Sequence, residues 1–339
     1  MTKVAILTGA TGQDGSYLSE LLLENGYEVF CMIRRSTYPI SNSNLTSLTL
    51  NNNRLRLFDA DITDQSSVSR VFNEAKDFDR IEVYNLAAQS HVAVSFECPT
   101  LTVGTNITGT LNLLEAIRQS GLIKKVRFYQ ASTSEMFGKV QEVPQNEKTP
   151  FYPRSPYGVS KVAAHWMVIN YRESYGLFAS CGILFNHESP RRGANFVTQK
   201  IVKSLSGSNP RLYIGNIDAR RDWGHAKDYV KAMWLMLQQE TPDDFVVSTG
   251  EQHSVREFIE KVCKLKGIQL TWKGSGLDEI GVDQNGNTIV SVDEKFYRPC
   301  EVDTLLGDCA KIKSIGWKPE YDFENIVKNM YECSKNAIE

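Results

Sequence analysis

The sequence carries no excess of charge of either sign. Its 38 Lys and Arg stand against 40 Asp and Glu, a formal net charge of -2. Such a balance gives no electrostatic case for nucleic acid or an anionic membrane surface as the main partner. No apolar run approaches the ~20 residues that span a bilayer, so no membrane partner is expected. Seven cysteines, at 31, 98, 181, 263, 300, 309 and 333, form no C-x-x-C pair and join no His/Cys cluster. That pattern speaks against a disulfide framework and a metal site, and for reduced thiols in a cytoplasmic chain. No basic stretch with an apolar run and a small-residue cleavage site precedes the first strand, so no secretory leader is expected. Repeats, low-complexity tracts and flexible linkers are missing too.

What is present is an ordinary globular mixture, 41% hydrophobic and 23% charged over 339 residues. That length suits two unequal domains. Short apolar runs at 4–7, 28–33, 54–59, 80–86, 125–131 and 179–185 read as strands. Helical patterns at 15–25, 65–75, 105–120 and 156–175 alternate with them. The alternation predicts an α/β fold, a Rossmann doubly wound parallel sheet. Beyond 185 the rhythm loosens, with helices expected at 196–206, 226–239, 254–266 and 323–334. Residues 211–213 read as a short strand, 244–248 as a strand rejoining the main sheet, and 272–292 as a loop or hairpin. The division expected is a nucleotide-binding domain over 1–185, with contributions from about 214–250. A smaller, discontinuous C-terminal substrate domain would cover 186–339.

The first strand runs into Gly9-Ala10-Thr11-Gly12-Gln13-Asp14-Gly15, a G-x-x-G-x-x-G turn that opens a helix. A tight bend, close backbone approach and first-turn N–H groups suit a pyrophosphate. A Walker A loop is excluded, because no Gly-Lys-Ser/Thr follows. The second strand ends in Arg34-Arg35, where an NAD site usually carries Asp or Glu. Guanidinium suits a ribose 2′-phosphate, so NADP is the expected cofactor. Asp61 and Ile62 are placed for the adenine, and the turn Leu86-Ala87-Ala88-Gln89-Ser90 for close backbone approach.

Tyr157 and Lys161 lie one helical turn apart on one face. A phenol has an ordinary pKa of ~10 and is a poor base at neutral pH. A nearby ammonium and a positive nicotinamide ring are expected to lower it. Thr133, after the fifth strand, offers a hydroxyl to a sugar oxygen. Glu135 adds a carboxylate able to remove a carbon-bound proton and later return one. A plain dehydrogenase or epimerase needs no such group.

Together these residues resemble the extended short-chain dehydrogenase/reductases. Residues 12–18, 90–96, 128–135, 149–157, 185–193 and 221–230 narrow the resemblance to the GDP-mannose 4,6-dehydratase family. It implies a redox-neutral reaction on one bound NADP: oxidation at C4, proton removal at C5 by Glu135, loss of water from C6, and reduction at C6. The implied cofactor set is Gly9, Thr11, Gly12, Gln13, Asp14, Arg34, Arg35, Asp61, Ile62, Leu86, Ala88, Ser90, Tyr157, Lys161, His187 and Arg192. The implied GDP-sugar set is Ser90, Ser134, Glu135, Asn186, Val197, Lys200, Gly215, Arg221, Arg298 and Glu301. A homo-oligomer, dimer or tetramer, is implied, with the Arg34-Arg35 loop near a subunit contact. The chain departs from the family at Leu101, where a tyrosine is usual, and at Gly104-Thr105-Asn106. Segment 36–53 diverges as well, and the 274–290 loop is shortened, a trimmed lid that leaves a GDP-manno-heptose as an alternative sugar. A non-catalytic NADP sensor on the same fold is the reading from another class.

Overall fold

The computed structural model describes residues 2–37, 39–297, 300, 302 and 304–336. Seven parallel strands form its centre. They are β1 (Lys3–Thr8), β2 (Glu28–Ile33), β3 (Leu55–Asp59), β4 (Arg80–Asn85), β5 (Val126–Thr133), β6 (Phe178–Leu184) and β7 (Phe245–Val247). Their order across the sheet is β7-β6-β5-β4-β1-β2-β3. Both faces are covered, so the inner strands are apolar almost throughout; in β1 every residue after Lys3 is buried.

One face packs α1 (Gln13–Glu24) and α5 (Ala226–Met236) through Leu18, Leu22, Tyr229 and Met233. The other packs α2 (Gln65–Ala75), α3 (Gly109–Gln119) and α4 (Pro156–Tyr175) through Val68, Phe72, Leu113, Ile117 and Val168. Phe72 is fully enclosed. Truncating such a ring to Ala costs about 3–5 kcal/mol. A third core joins α6 (Val255–Lys266) and α7 (Phe323–Asn336) to the helix Val197–Ser206 through Phe258, Ile259, Val327, Met330 and Ile201.

Residues 245–247 pair with β6 in the main sheet, as the apolar run at 244–248 predicts. The stretch 272–292 holds three antiparallel strands, Thr271–Lys273, Ile280–Val282 and Thr288–Val292. They extend to Leu212–Ile214 in a four-stranded sheet. The helix expected at 105–120 differs more. It begins at Pro99 and passes through a wide π turn, Gly104–Thr108, before α3. The wide turn aims Asn106 inward, where its amide accepts from Gln89 N at 2.9 Å and donates to Gln89 O at 3.2 Å. A short parallel pair, Asn186–Glu188 with Trp223–His225, has no counterpart in the sequence-based expectation. It continues the chain past β6 and forms one wall of the site.

The chain crosses from the β3 edge back to β4, so the connections diverge between β1 and β4. In doubly wound sheets the crevice beyond the strand ends at that point takes the ligand. No helix among the described residues is long and apolar enough to cross a membrane.

Candidate active site

A cleft of about 1570 Å³ opens at this point of the sheet. The turn at its floor is built by glycine. Gly9 adopts φ 69°, and a Cβ there would lie 3.0 Å from Ala87 N. A Cβ on Gly15 would lie 2.3 Å from Gly9 O and 2.6 Å from Ala10 Cα, so α1 can seat against the turn only without a side chain. At Gly12 the same atom would meet Gly9 O alone, at 3.3 Å. Gly12 caps α1 with no side-chain bond. The first turn therefore presents uncapped N–H groups to an anion.

The strand ends bring most of the candidate residues into this cleft. Gly9, Thr11, Gly12, Gln13, Asp14, Arg34, Asp61, Ile62, Leu86, Ala88, Ser90, Thr133, Ser134, Glu135, Tyr157, Lys161, Asn186, His187, Arg192, Val197, Lys200, Gly215 and Arg221 all line it. Arg35 is not among the lining residues. Its side chain is 86% exposed and its Nη1 lies 3.6 Å from Asp59 Oδ2. Arg298 and Glu301 lie outside the described residues. Leu101 lines the cleft with half its surface exposed.

Tyr157 and Lys161 owe their placement to the start of α4. Ser155 caps the helix by accepting from Gly158 N at 3.0 Å, and Pro156 fits its first turn. A Cβ on Gly158 would sit 2.9 Å from Glu135 O, so glycine lets the helix start press against the Ser134–Met136 turn. Thr133 Oγ1 accepts from Glu135 N at 3.3 Å and also hydrogen-bonds the Tyr157 phenol. Lys161 Nζ donates to Ala131 O at 2.9 Å and lies 5.9 Å from the Tyr157 ring centre.

The protein groups alone do not lower the phenol. Burial pushes Tyr157 up to about 12, outweighing the Thr133 hydrogen bond that opposes it. Burial likewise pulls Lys161 down to about 8. The Glu135 and Asp14 carboxylates add to the upward push of burial on the phenol, and Lys161 bears its own desolvation cost beside the ring.

A buried polar chain lies behind the cleft, and the sequence alone assigns no role to its Thr8, Asn85, Thr110 and Ser160 side chains. Thr8 Oγ1 accepts from Leu86 N and Ala87 N, each at 3.0 Å, and donates to Asn85 Oδ1 at 2.8 Å. Asn85 donates to Gln130 Oε1 at 2.9 Å and to Thr110 Oγ1 at 3.1 Å. Asn106 donates to Ser160 Oγ at 2.9 Å, and Ser160 donates to Tyr157 O at 2.7 Å. These bonds tie the ends of β1, β4 and β5 to the π turn and α4. Their signal in the sequence is polar residues closing apolar strands, as in Ile81-Glu82-Val83-Tyr84-Asn85.

The far wall is held by charge. His187 Nε2 lies 2.8 Å from Asp14 Oδ2, and Gln13 Nε2 donates to His187 O at 3.1 Å. Arg192 Nε lies 3.1 Å from Glu188 Oε2, with its guanidinium over the Phe196 ring at 3.8 Å. At the other end Lys200 Nζ sits 3.2 Å over the Phe296 ring, beside Gly215.

A doubly wound sheet with a glycine turn at β1 and a Tyr/Lys helix beside the end of β5 defines an extended short-chain dehydrogenase/reductase. The family model for GDP-mannose 4,6 dehydratase matches residues 6–330. A GDP-mannose 4,6 dehydratase of Cricetulus griseus is 52% identical over 98% of this chain and 91% of its own length. That of Vibrio cholerae is 51% identical over 97% and 93%. A UDP-glucose 4-epimerase of Thermus thermophilus, solved with NAD, superposes with a TM-score of 0.79 at 27% identity, covering 98% of this chain and 99% of that one. The chain belongs to the GDP-mannose 4,6-dehydratase family.

Proposed function

We propose that the chain is a hydro-lyase that converts GDP-α-D-mannose to GDP-4-keto-6-deoxy-α-D-mannose and water, with NADP as its bound cofactor. The observation that carries the reading is one cleft that gathers Thr133, Glu135, Tyr157 and Lys161 beside the glycine turn. The turn fits a dinucleotide, because the space beyond Gly12 is open on its cleft side and the helix N–H groups there are uncapped. Arg34, lining the cleft at the end of β2, supports NADP over NAD.

Bound nicotinamide supplies the hydride acceptor and donor, and its positive ring lowers the nearby phenol. Tyr157 takes the proton of the 4-hydroxyl, held in line by the Thr133 hydroxyl. Lys161 fixes the Tyr157 side of the site through its bond to Ala131 O. Glu135 removes the proton made acidic by a ketone at C4 and returns one to the departing 6-hydroxyl. Arg221, Lys200, Val197 and Gly215 border the nucleotide, with Arg221 suited to the diphosphate. Ser90, Ser134 and Asn186 flank the sugar.

The heptose alternative gains no support, since the relatives matched are named for the mannose substrate. A non-catalytic sensor has no use for four reactive groups in one cleft. We treat 1–185, with about 214–250, as the NADP domain and the remainder as the GDP-sugar domain. The free state of all seven thiols supports a cytoplasmic setting. The exposed Arg35 and Leu48 support a homo-oligomeric contact near that loop.

The test is direct. Purified protein given GDP-mannose and no reductant forms a product lighter by one water. Absence of that product with cofactor bound refutes the reading.

A further inference from the structure

Gln13 and Asp14 open α1 at the glycine turn, yet their side chains reach across to the wall beyond β6. Gln13 donates to His187 O and accepts from Ser189 Oγ at 2.7 Å. Asp14 Oδ2 faces His187 Nε2 at 2.8 Å. The other ring nitrogen, Nδ1, lies 2.7 Å from Phe185 O. A carbonyl oxygen can only accept, so Nδ1 carries a hydrogen. A carboxylate can only accept as well, so Nε2 carries one too. Both nitrogens donating makes the ring an imidazolium, buried and paired with a carboxylate.

The surroundings agree with that assignment. The charged and titratable groups facing the ring are Asp14 from α1, Arg192 from its own segment, and Tyr229 and His225 from α5 and its cap. Tyr229 stacks on the ring at 4.5 Å. Burial and Arg192 oppose the charge, and Asp14 outweighs both, holding His187 above its ordinary value. Asp14 is held below its own, because His187 and Arg192 offset its burial.

We propose that Asp14 is a positioning residue: it keeps His187 doubly protonated, and this ion pair docks segment 186–192 onto the nucleotide turn. The docked segment carries Asn186 and Arg192 in the cleft wall. Without the carboxylate, His187 keeps one hydrogen and loses its ion pair to α1, and burial and Arg192 then hold the ring below its ordinary value. The wall is then free to shift from the cofactor. This consequence rests on the NADP reading above; the protonation state does not.

The experiment is nitrogen NMR of the histidine rings in the unliganded full-length protein at pH 8, paired with NADP affinity from pH 6 to pH 8. His253 also faces a carboxylate, Glu257, so the His187 signals are assigned by their loss in His187→Asn. In wild type both His187 nitrogens show bonded hydrogen at pH 8. Asp14→Asn loses one of them, and its NADP dissociation constant rises roughly tenfold at pH 8. At pH 6 the loss remains, because burial and Arg192 keep the unpaired ring neutral. Asp14→Glu restores both the ring signature and the affinity. A wild-type ring with a single hydrogen, or an Asp14→Asn ring that keeps two, overturns the proposal. Failure of every form to bind NADP, with the ring signatures as stated, instead overturns the cofactor reading.

Discussion

Gly12→Ala and Gly15→Ala separate the fold of the nucleotide turn from its use. The two methyl groups meet different surroundings. At residue 15 the new carbon would lie 2.3 Å from Gly9 O and 2.6 Å from Ala10 Cα, both backbone atoms that cannot swing aside. The turn itself must move, and overpacking of this kind costs about 1–3 kcal/mol. At residue 12 the carbon meets only Gly9 O, at 3.3 Å, and φ there is -76°, which alanine adopts freely. The fold should lose no more than about 0.5 kcal/mol. The methyl nonetheless fills the space a pyrophosphate approaches, where losing one hydrogen bond to a charged group costs about 1.5–3 kcal/mol. That corresponds to a roughly ten- to hundredfold weaker cofactor. Calorimetric titration with NADP and a thermal melt read the two effects apart. Gly12→Ala should melt with wild type and bind weakly; Gly15→Ala should fail on both counts. A Gly12→Ala protein that binds NADP with wild-type affinity would refute the placement of the pyrophosphate.

Other outcomes follow from the same geometry. Glu135→Gln should still oxidise C4 while losing about 10²–10⁴-fold in water release, read by trapping the 4-keto hexose; full turnover would dismiss Glu135 as the base. Arg34→Ala should weaken NADP far more than NAD, and Arg35→Ala much less, because Arg34 lines the cleft and Arg35 does not. Equal losses for both dinucleotides would remove the 2′-phosphate argument. The Asp14–His187 pair should also shape stability against pH. Asp14 sits below its ordinary 3.8, so its contribution is present above 3.8 and lost as pH falls through the lowered value. His187 sits above its ordinary 6.5, so its contribution is complete below 6.5 and lost as pH rises through the raised value. Denaturant unfolding of wild type against Asp14→Asn should therefore differ most between pH 4 and 6.5. A difference that does not change with pH would contradict the pairing.

The main sheet was legible in the sequence because its strands are buried on both faces and read as unbroken apolar runs. The glycine turn was legible for a similar reason, since only glycine fits where Gly15 meets Gly9 and Ala10. Tyr157 and Lys161 announce themselves by helical spacing. Less visible was everything set by distant partners. Asn106 looks like one more polar residue on a helix until the π turn points it at Gln89 and Ser160. Asp14 reads as a first-turn acid, and nothing local says that its partner lies 173 residues away. The upward push of burial on Tyr157 was not legible, because desolvation is not a property of spacing. Arg35 shares its composition with Arg34, yet one turns to the cleft and the other to Asp59.

The central claim is an internal transfer of hydride within one sugar, with proton traffic handled by Tyr157 and Glu135. GDP-mannose labelled with deuterium at C4, turned over in ordinary water without added reductant, examines it most directly. The account predicts a 4-keto-6-deoxy product carrying that deuterium at C6 and hydrogen from solvent at C5. Deuterium lost to solvent, or a product still bearing its 6-hydroxyl, would contradict it.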